Sequence, residues 1–230
     1  QPEFTQLDIE TSFVTEDDVI TTMEEVMAEV LGLVDLGLPA PPWERLPYDE
    51  AMSRYGSDRP DRRFGLELVD VSDALAGVGF KVFASVLEAG GAVLAINAGP
   101  REMSRAELDG LNEVAQRHGG KAVAWAFVED GGGWRSPIAK FFTDDQRAAV
   151  TGRLGGTPGD LLLFAADKRR VAQGVLGGLR LELADRFGLR SDGHDIHWIV
   201  DFPMVEWNED EQRWDALHHP FTAPAGDLDG

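Results

Sequence analysis

A two-residue alternation of polar and apolar positions runs over residues 3–10 and predicts a strand. One face of this strand is apolar or β-branched and suits burial on a sheet: Thr5, Leu7 and Ile9. The opposite face carries Phe4, Gln6, Asp8 and Glu10. Gln6 and Asp8 are neighbours on that face, so they stand roughly 7 Å apart, close enough to hold one small ligand. The alternative is a solvated polar face, which is the commoner case for an arbitrary strand.

A helix follows the strand. Thr15 and Asp18 have the spacing of a capping box, which predicts the helix start. The apolar positions that recur at helical spacing are Val19, Met23, Val26, Met27, Val30 and Leu33. This stripe predicts a buried face, with the methionines in the core. Glycines and prolines over 37–42 end the pattern, and the segment YDEAMSRYGSDRPDRRFG (48–65) predicts a short helix and a basic loop.

Short strands and helices alternate between residues 66 and 189. The predicted strands are KVFASVL, GAVLAIN, AVAWAFV and DLLLFAA. The predicted helices are SRAELDGLNEVAQRHG, DDQRAAVTGRLG and KRRVAQGVLGGLRLELADRFG. Ser104 and Glu107 form a second capping box, and GGGW at Gly131 predicts a hairpin turn, because it lacks the Gly-Lys-Ser/Thr ending of a phosphate loop. This stretch predicts a compact α+β domain with its own core.

After Gly193 the pattern returns to strand. HWIVDFPMVEW, the charged turn NEDEQR and WDALHHPFTAP predict a hairpin that runs into a loop.

Composition narrows the class of protein. The 230 residues include no cysteine, which excludes disulfides and thiolate metal sites. No apolar run approaches the roughly 18 to 20 residues that span a bilayer, and no signal peptide is present, so we expect a soluble cytoplasmic protein. A formal net charge of −20 opposes a polyanionic partner such as nucleic acid.

Histidines supply the remaining candidate chemistry. His194 and His197 have HxxH spacing, but they lie in a predicted loop near Asp192 and Asp195, and we assign no metal site to them. No nucleophile motif is present. The adjacent pair at His218 precedes a proline in a loop, where it is either a surface feature or an imidazole that approaches the carboxylate of a small substrate.

Three stretches together resemble bacterial aspartyl-tRNA synthetases. QPEFTQLDIETSF is similar to the second half of their motif 2, and RYGSDRPDRRFG resembles the segment that leads into an inserted domain. WIVDFPMVEW with ALHHPFTAP is similar to the segment that returns to the catalytic core and forms the histidine loop. The middle of the chain, including SPIAKFF, resembles the GAD insertion domain, which also occurs in the B subunit of the tRNA-dependent amidotransferase.

The resemblance implies an α+β fold. It would combine part of a class II antiparallel-sheet catalytic core with an inserted two-layer α+β GAD domain. The implied boundaries are a core segment over 1–64, the GAD domain over 65–192 and a return to the core over 193–230.

The resemblance also implies an aspartate–tRNA ligase, which joins aspartate to ATP and passes the aspartyl group to tRNA(Asp), with tRNA(Asn) as a further candidate. Gln1 matches a residue that contacts ATP. The aspartate-binding positions are Gln6, Asp8, His218 and His219. No residue is assigned as a catalytic nucleophile or metal ligand, since such a site works by positioning and electrostatics. ATP and Mg²⁺ serve the full-length family, whose members are expected to be homodimers.

Motifs 1 and 3 and the anticodon-binding barrel of that family have no counterpart here. We therefore expect an internal fragment, inactive alone and without a tightly bound cofactor. A fragment without the anticodon domain need not carry the main tRNA contacts, which weakens the objection from charge. The alternative is a stand-alone GAD-type interaction module without catalysis.

Overall fold

A computed structural model describes residues 3–34, 36–208 and 211–217. In these ranges the helices are α1 (Glu16–Gly32), α2 (Tyr48–Tyr55), α3 (Lys81–Glu88), α4 (Arg105–Arg117), α5 (Asp144–Arg153) and α6 (Arg169–Phe187). The strands are β1 (Glu44–Pro47), β2 (Val69–Asp70), β3 (Ala92–Pro100), β4 (Ala124–Val128), β5 (Trp134–Arg135), β6 (Asp160–Asp167), β7 (His197–Val200), β8 (Val205–Asn208) and β9 (Arg213–Ala216). None of the described helices is long and apolar enough to cross a bilayer.

The described residues fall into two units by their contacts. One unit lies within 1–45 and 192–198, and the other within 46–191 and 199–230. The larger unit is built on a five-stranded sheet with the order β2-β3-β6-β4-β5, in which every neighbouring pair is antiparallel. The α+β class predicted from the sequence is confirmed.

Both faces of this sheet are covered. Along β6, Leu161 and Leu163 join a core with residues of α4 and α6, whereas Leu162 and Phe164 join a second core with residues of α3 and α5. Because successive side chains of a strand point to opposite faces, a strand buried on both faces becomes an unbroken apolar run. The predicted two-layer arrangement is therefore wrong, since helices flank the sheet on both sides.

KVFASVL was expected to be a strand but forms α3 instead. Phe83 is its buried residue, and Phe80, Ala84 and Leu87 pack against the same core. These positions recur three or four residues apart, which suits one face of a helix as well as the short apolar run suits a strand. The other three strands and three helices predicted for this region are confirmed, as is the hairpin turn at Gly131 between β4 and β5.

The helix α2 packs closely on α6. It ends at Tyr55, and the next residue, Gly56, caps it with a φ of +68°, in the left-handed region. A Cβ atom placed on Gly56 would lie 2.1 Å from the carbonyl oxygen of Gln173, and one on Gly177 would lie 2.8 Å from the carbonyl oxygen of Gly56. Glycine at both positions lets the two backbones touch.

The C-terminal hairpin is confirmed for the described residues. HWIVDFPMVEW is interrupted at Asp201, whose φ is +54°, so that it forms β7 and β8 rather than one strand. β1 and β7 form a two-stranded sheet, and β8 pairs antiparallel with β9. Trp207 faces Trp214 across this hairpin, with ring centroids 5.5 Å apart.

Helix α1 begins at the predicted capping box, with Thr15 and Asp18 bonding reciprocally. The buried face differs from the predicted stripe. Leu33 is 85% exposed, and Val19, Met27 and Val30 are also exposed. The buried side chains of the helix are Ile20 and Glu24.

Candidate functional site

The predicted strand over residues 3–10 does not form in the structure. This stretch has no regular secondary structure, and Leu7, expected to be buried, is 74% exposed. A strand is stable only when its backbone N–H and C=O groups meet those of a partner, and no other described segment pairs with it. The alternation of side chains alone therefore did not decide the conformation.

The predicted binding residues are only partly covered by the structure. Gln6 and Asp8 are described, and both are exposed. Gln1, His218 and His219 lie outside the described residues. The geometry of the predicted ATP and aspartate contacts thus stays a prediction from the sequence.

Glu24 of α1 is the buried polar centre of the smaller unit. Its side chain is 6% exposed, and Oε1 accepts hydrogen bonds from the Trp43 backbone N–H and the Trp198 indole Nε1–H, each at 2.9 Å. One carboxylate oxygen thereby joins α1 to two segments that are distant in sequence. Burying a carboxylate is costly unless it is hydrogen-bonded, so these two donors are what makes the position tolerable.

Sequence reasoning missed Glu24. It stands four residues after Ile20, the other buried residue of α1, and therefore on the same helical face. An acidic residue on the buried face was available as a signal. The stripe of apolar positions indicated a different face of the helix.

Arg180 of α6 fixes the segment that leads out of α2. Its side chain is only 1% exposed, and Nε donates to the Leu66 carbonyl at 2.8 Å. Nη2 donates to the carbonyls of Asp61 and Gly65 at 3.2 and 3.0 Å. Burial lowers the pKa of the Arg180 guanidinium below its usual range. Backbone carbonyls thus take the place of a carboxylate partner, and one buried cation bonds to three carbonyls of the loop.

Two aromatic rings complete this enclosure. The Arg180 guanidinium carbon lies 4.9 Å from the centroid of the Tyr55 ring and 4.7 Å from that of Phe64. A guanidinium against ring faces gains cation–π attraction, which increases as water is excluded. The rings and the three carbonyls explain why this arginine stays buried.

Exposed and partly buried ion pairs flank the same loop. Arg54 donates two hydrogen bonds of 3.0 and 2.7 Å to the Glu67 carboxylate. The Asp61 carboxylate accepts hydrogen bonds from Arg63 and Arg190, each at 2.8 Å. The hydrogen bonds from Arg63, followed by that from Arg190, hold the pKa of the Asp61 carboxyl well below its usual range. The cluster positions the loop and presents no nucleophile to a substrate.

A metal centre was not assigned from the HxxH spacing. His197 Nδ1 lies 3.4 Å from an Asp195 carboxylate oxygen. Among the residues that the structure describes, no three or more histidine, aspartate or glutamate side chains are grouped so that they could hold a metal ion.

Comparison of the sequence with known proteins identifies its family. The family model described as tRNA synthetases class II (D, K and N) matches residues 1–229. An aspartate–tRNA(Asp/Asn) ligase of Symbiobacterium thermophilum is 50% identical over 227 residues, 97% of this chain and 38% of the relative. That of Heliobacterium modesticaldum is 51% identical over 232 residues, 100% of this chain and 38% of the relative.

A third relative, an aspartate–tRNA ligase of Halalkalibacterium halodurans, is 46% identical over 230 residues, 97% of this chain and 38% of the relative. The chain thus spans about 38% of the length of these curated relatives. The resemblance drawn from QPEFTQLDIETSF, RYGSDRPDRRFG and HHPFTAP is confirmed. The chain belongs to the class II tRNA synthetases of the D, K and N group.

Proposed function

We propose that the chain is part of an aspartate–tRNA ligase. The observation that carries this proposal is the match along residues 1–229, together with relatives of about half-identical sequence that bear that name. ATP and tRNA(Asp) are the proposed further substrates. The complete protein is proposed to act in the cytoplasm as a homodimer.

The proposed chemistry has two steps. A carboxylate oxygen of aspartate attacks the α-phosphorus of ATP, and pyrophosphate leaves, which gives aspartyl-adenylate. A hydroxyl at the 3′ end of the tRNA then attacks the aspartyl carbonyl, and AMP leaves. Neither step needs a covalent bond to the protein, so binding geometry and charge carry the catalysis.

The proposed aspartate-binding residues are Gln6, Asp8, His218 and His219, with Gln1 toward ATP. Asp8 supplies a negative charge that complements the ammonium group of aspartate. Gln6 and Asp8 are exposed, as are all described residues over 3–19, so the support for this role is the family match along residues 1–229. Mg²⁺ is expected to accompany ATP in the full-length family, and no residue of this chain is assigned to it.

The proposed division of the chain is a core segment over 1–64, a GAD insertion domain over 65–192 and a second core segment over 193–230. The sheet and its two cores support an insertion that folds around its own interior. Every strand of that sheet lies between Val69 and Asp167.

Exchange of labelled pyrophosphate into ATP tests the proposal in the complete protein. Aspartate should support exchange, while asparagine and lysine, the other amino acids of the group, should not. Exchange that depended on lysine or asparagine would contradict the assignment.

Asp8→Asn tests the binding role, with Glu10→Gln as a control that removes one negative charge two residues further along. Loss of a charge-assisted hydrogen bond should raise the aspartate KM about 10- to 100-fold in the Asp8→Asn variant. The control should change KM less than about twofold, as is usual for an exposed charge. Equal kinetics for both variants would refute the role of Asp8.

A further inference from the structure

Within the described ranges, two arginines of the larger unit, Arg101 and Arg135, have neither a carboxylate partner nor the set of carbonyl acceptors that surrounds Arg180. Most arginines in the described ranges form ion pairs with aspartate or glutamate, and Arg180 is surrounded by carbonyls. Arg101 makes only a 3.5 Å contact to the Pro100 carbonyl, and Arg135 makes no polar contact within the described residues. In a chain with 41 acidic and 21 basic residues, an arginine without an acidic partner is unexpected.

These two arginines line the same cavity. It has a volume of about 790 Å³ and opens where β3 and β4 end and β6 begins. A volume of this size lies within the range of about 300–1,000 Å³ that small-molecule sites occupy. The fold therefore brings two cations that lack a carboxylate partner in the described part of the chain, 34 residues apart in number, to one concave surface.

Aromatic rings hold both guanidinium groups. The Arg101 guanidinium carbon lies 4.8 Å from the centroid of the Phe187 ring, and that of Arg135 lies 4.2 Å from the centroid of the buried Phe127 ring. A guanidinium already placed on a ring loses less freedom when it binds a ligand. Its planar array of N–H groups suits the oxygens of a phosphate group.

The Arg101 side chain also has an unused donor. Its Nε is out of contact with solvent and has no acceptor among the described residues. A donor left without an acceptor costs free energy, and a ligand in the cavity reaches this one only when the Arg101 side chain turns toward it. At the nearby start of α4, by contrast, the Ser104 and Glu107 side chains already accept hydrogen bonds from backbone N–H groups.

We propose that this cavity binds a phosphate group between Arg101 and Arg135. The group is either a phosphate of an RNA backbone or that of a free small phosphate compound. The choice of RNA as the source rests on the proposed function, whereas the phosphate site itself rests on the cavity and its two arginines. Glu102 and Glu129 line the same cavity, and their charges should weaken anion binding and favour a ligand that reaches the arginines directly.

Titration with inorganic phosphate, followed through the arginine Nε–Hε resonances by NMR, tests the site in the protein. We expect saturable shifts of Arg101 and Arg135. Arg101→Gln and Arg135→Gln should each weaken binding about tenfold or more, as expected for lost bonds to a charged group. Arg117→Gln, which removes the same charge from an exposed residue of α4 outside the cavity, should weaken it less than about twofold.

Glu129→Gln should act in the opposite direction and tighten binding, since it removes a repelling charge. A short RNA duplex identifies the source. Displacement of phosphate by RNA supports an RNA ligand, and saturation by phosphate without displacement supports a free phosphate compound. Absence of saturable shifts, or equal weakening by Arg117→Gln, would overturn the site.

Two controls keep the outcome clear. Arg135 is exposed, so the variant at this position tests the site even where Arg101→Gln fails to fold. Aspartate-dependent pyrophosphate exchange needs no RNA, so failure of the phosphate site and failure of the proposed function are separate results.

Discussion

Three glycines of α6 give a graded test of how closely neighbouring segments pack against this helix. A Cβ atom added to Gly174 would meet nothing within 4 Å, whereas one on Gly177 would lie 2.8 Å from the Gly56 carbonyl oxygen and 3.1 Å from that of Tyr55. One on Gly178 would lie 2.3 Å from the Nε2 atom of His118. An added methyl group would thus meet no atom at Gly174, backbone at Gly177 and a movable side chain at Gly178.

The magnitudes follow from these contacts. Alanine in place of glycine favours a helix by about 1 kcal/mol, so Gly174→Ala should stabilise the protein by up to about that amount. Gly177→Ala gains the same propensity but must push two backbones apart, which costs roughly 1–3 kcal/mol for overpacking. The difference in unfolding free energy between the two variants should therefore be about 1–3 kcal/mol. Gly178→Ala should fall between them, because an imidazole can rotate away.

Urea unfolding monitored by circular dichroism measures these differences. Thermal unfolding is an independent check, since 1 kcal/mol shifts Tm by about 2–4 °C in a protein of this size. Comparison of Gly177→Ala with Gly174→Ala removes the helix-propensity contribution common to both. Equal stability of these two variants would refute the close backbone contact between Gly56 and Gly177.

Two further changes test the loop that leads out of α2. Arg180→Met should destabilise the protein by about 2–5 kcal/mol, because three carbonyls lose their donors, and urea unfolding at pH 7 measures this; a loss under about 0.5 kcal/mol would contradict the role of Arg180. Asp61→Asn tests how stability depends on pH. Hydrogen bonds from Arg63 lower the pKa of Asp61 in the folded protein. The stabilisation by Asp61 is therefore complete above its unfolded pKa of about 3.9 and is lost as the pH falls through its folded pKa. The stability difference between wild type and Asp61→Asn should accordingly shrink on acidification below about pH 4, and a difference that grew there would exclude this mechanism.

Elements specified by neighbouring residues were predictable from the sequence. The capping boxes at Thr15 and Ser104 need only two side chains three positions apart, and both form. The apolar run of β6 was long enough to indicate a buried strand. The secondary structure of KVFASVL could not be decided in this way. A mostly apolar segment of seven residues fits one face of a helix or an edge of a sheet equally well.

Contacts between residues that are distant in sequence could not be predicted from local sequence patterns. Glu24 and Trp198 are 174 positions apart, and Arg180 and Leu66 are 114 apart. No spacing rule links such pairs, so neither partnership could be inferred. The family was recognisable because its motifs keep order and composition, whereas the roles of Gln6 and Asp8 came from that resemblance and stay predictions.

Net charge does not describe the local surroundings of a cation, for a related reason. The sequence total of −20 counts every ionisable group equally, yet most described arginines already share their charge with a carboxylate a few ångströms away. A ligand meets only the cations that remain. In an acidic chain most arginines find partners within the fold, so the few that do not are the informative ones. Arg101 and Arg135 have no carboxylate partner among the described residues, lie against aromatic rings and line one cavity, and it is this local arrangement that argues for an anionic ligand against the overall charge.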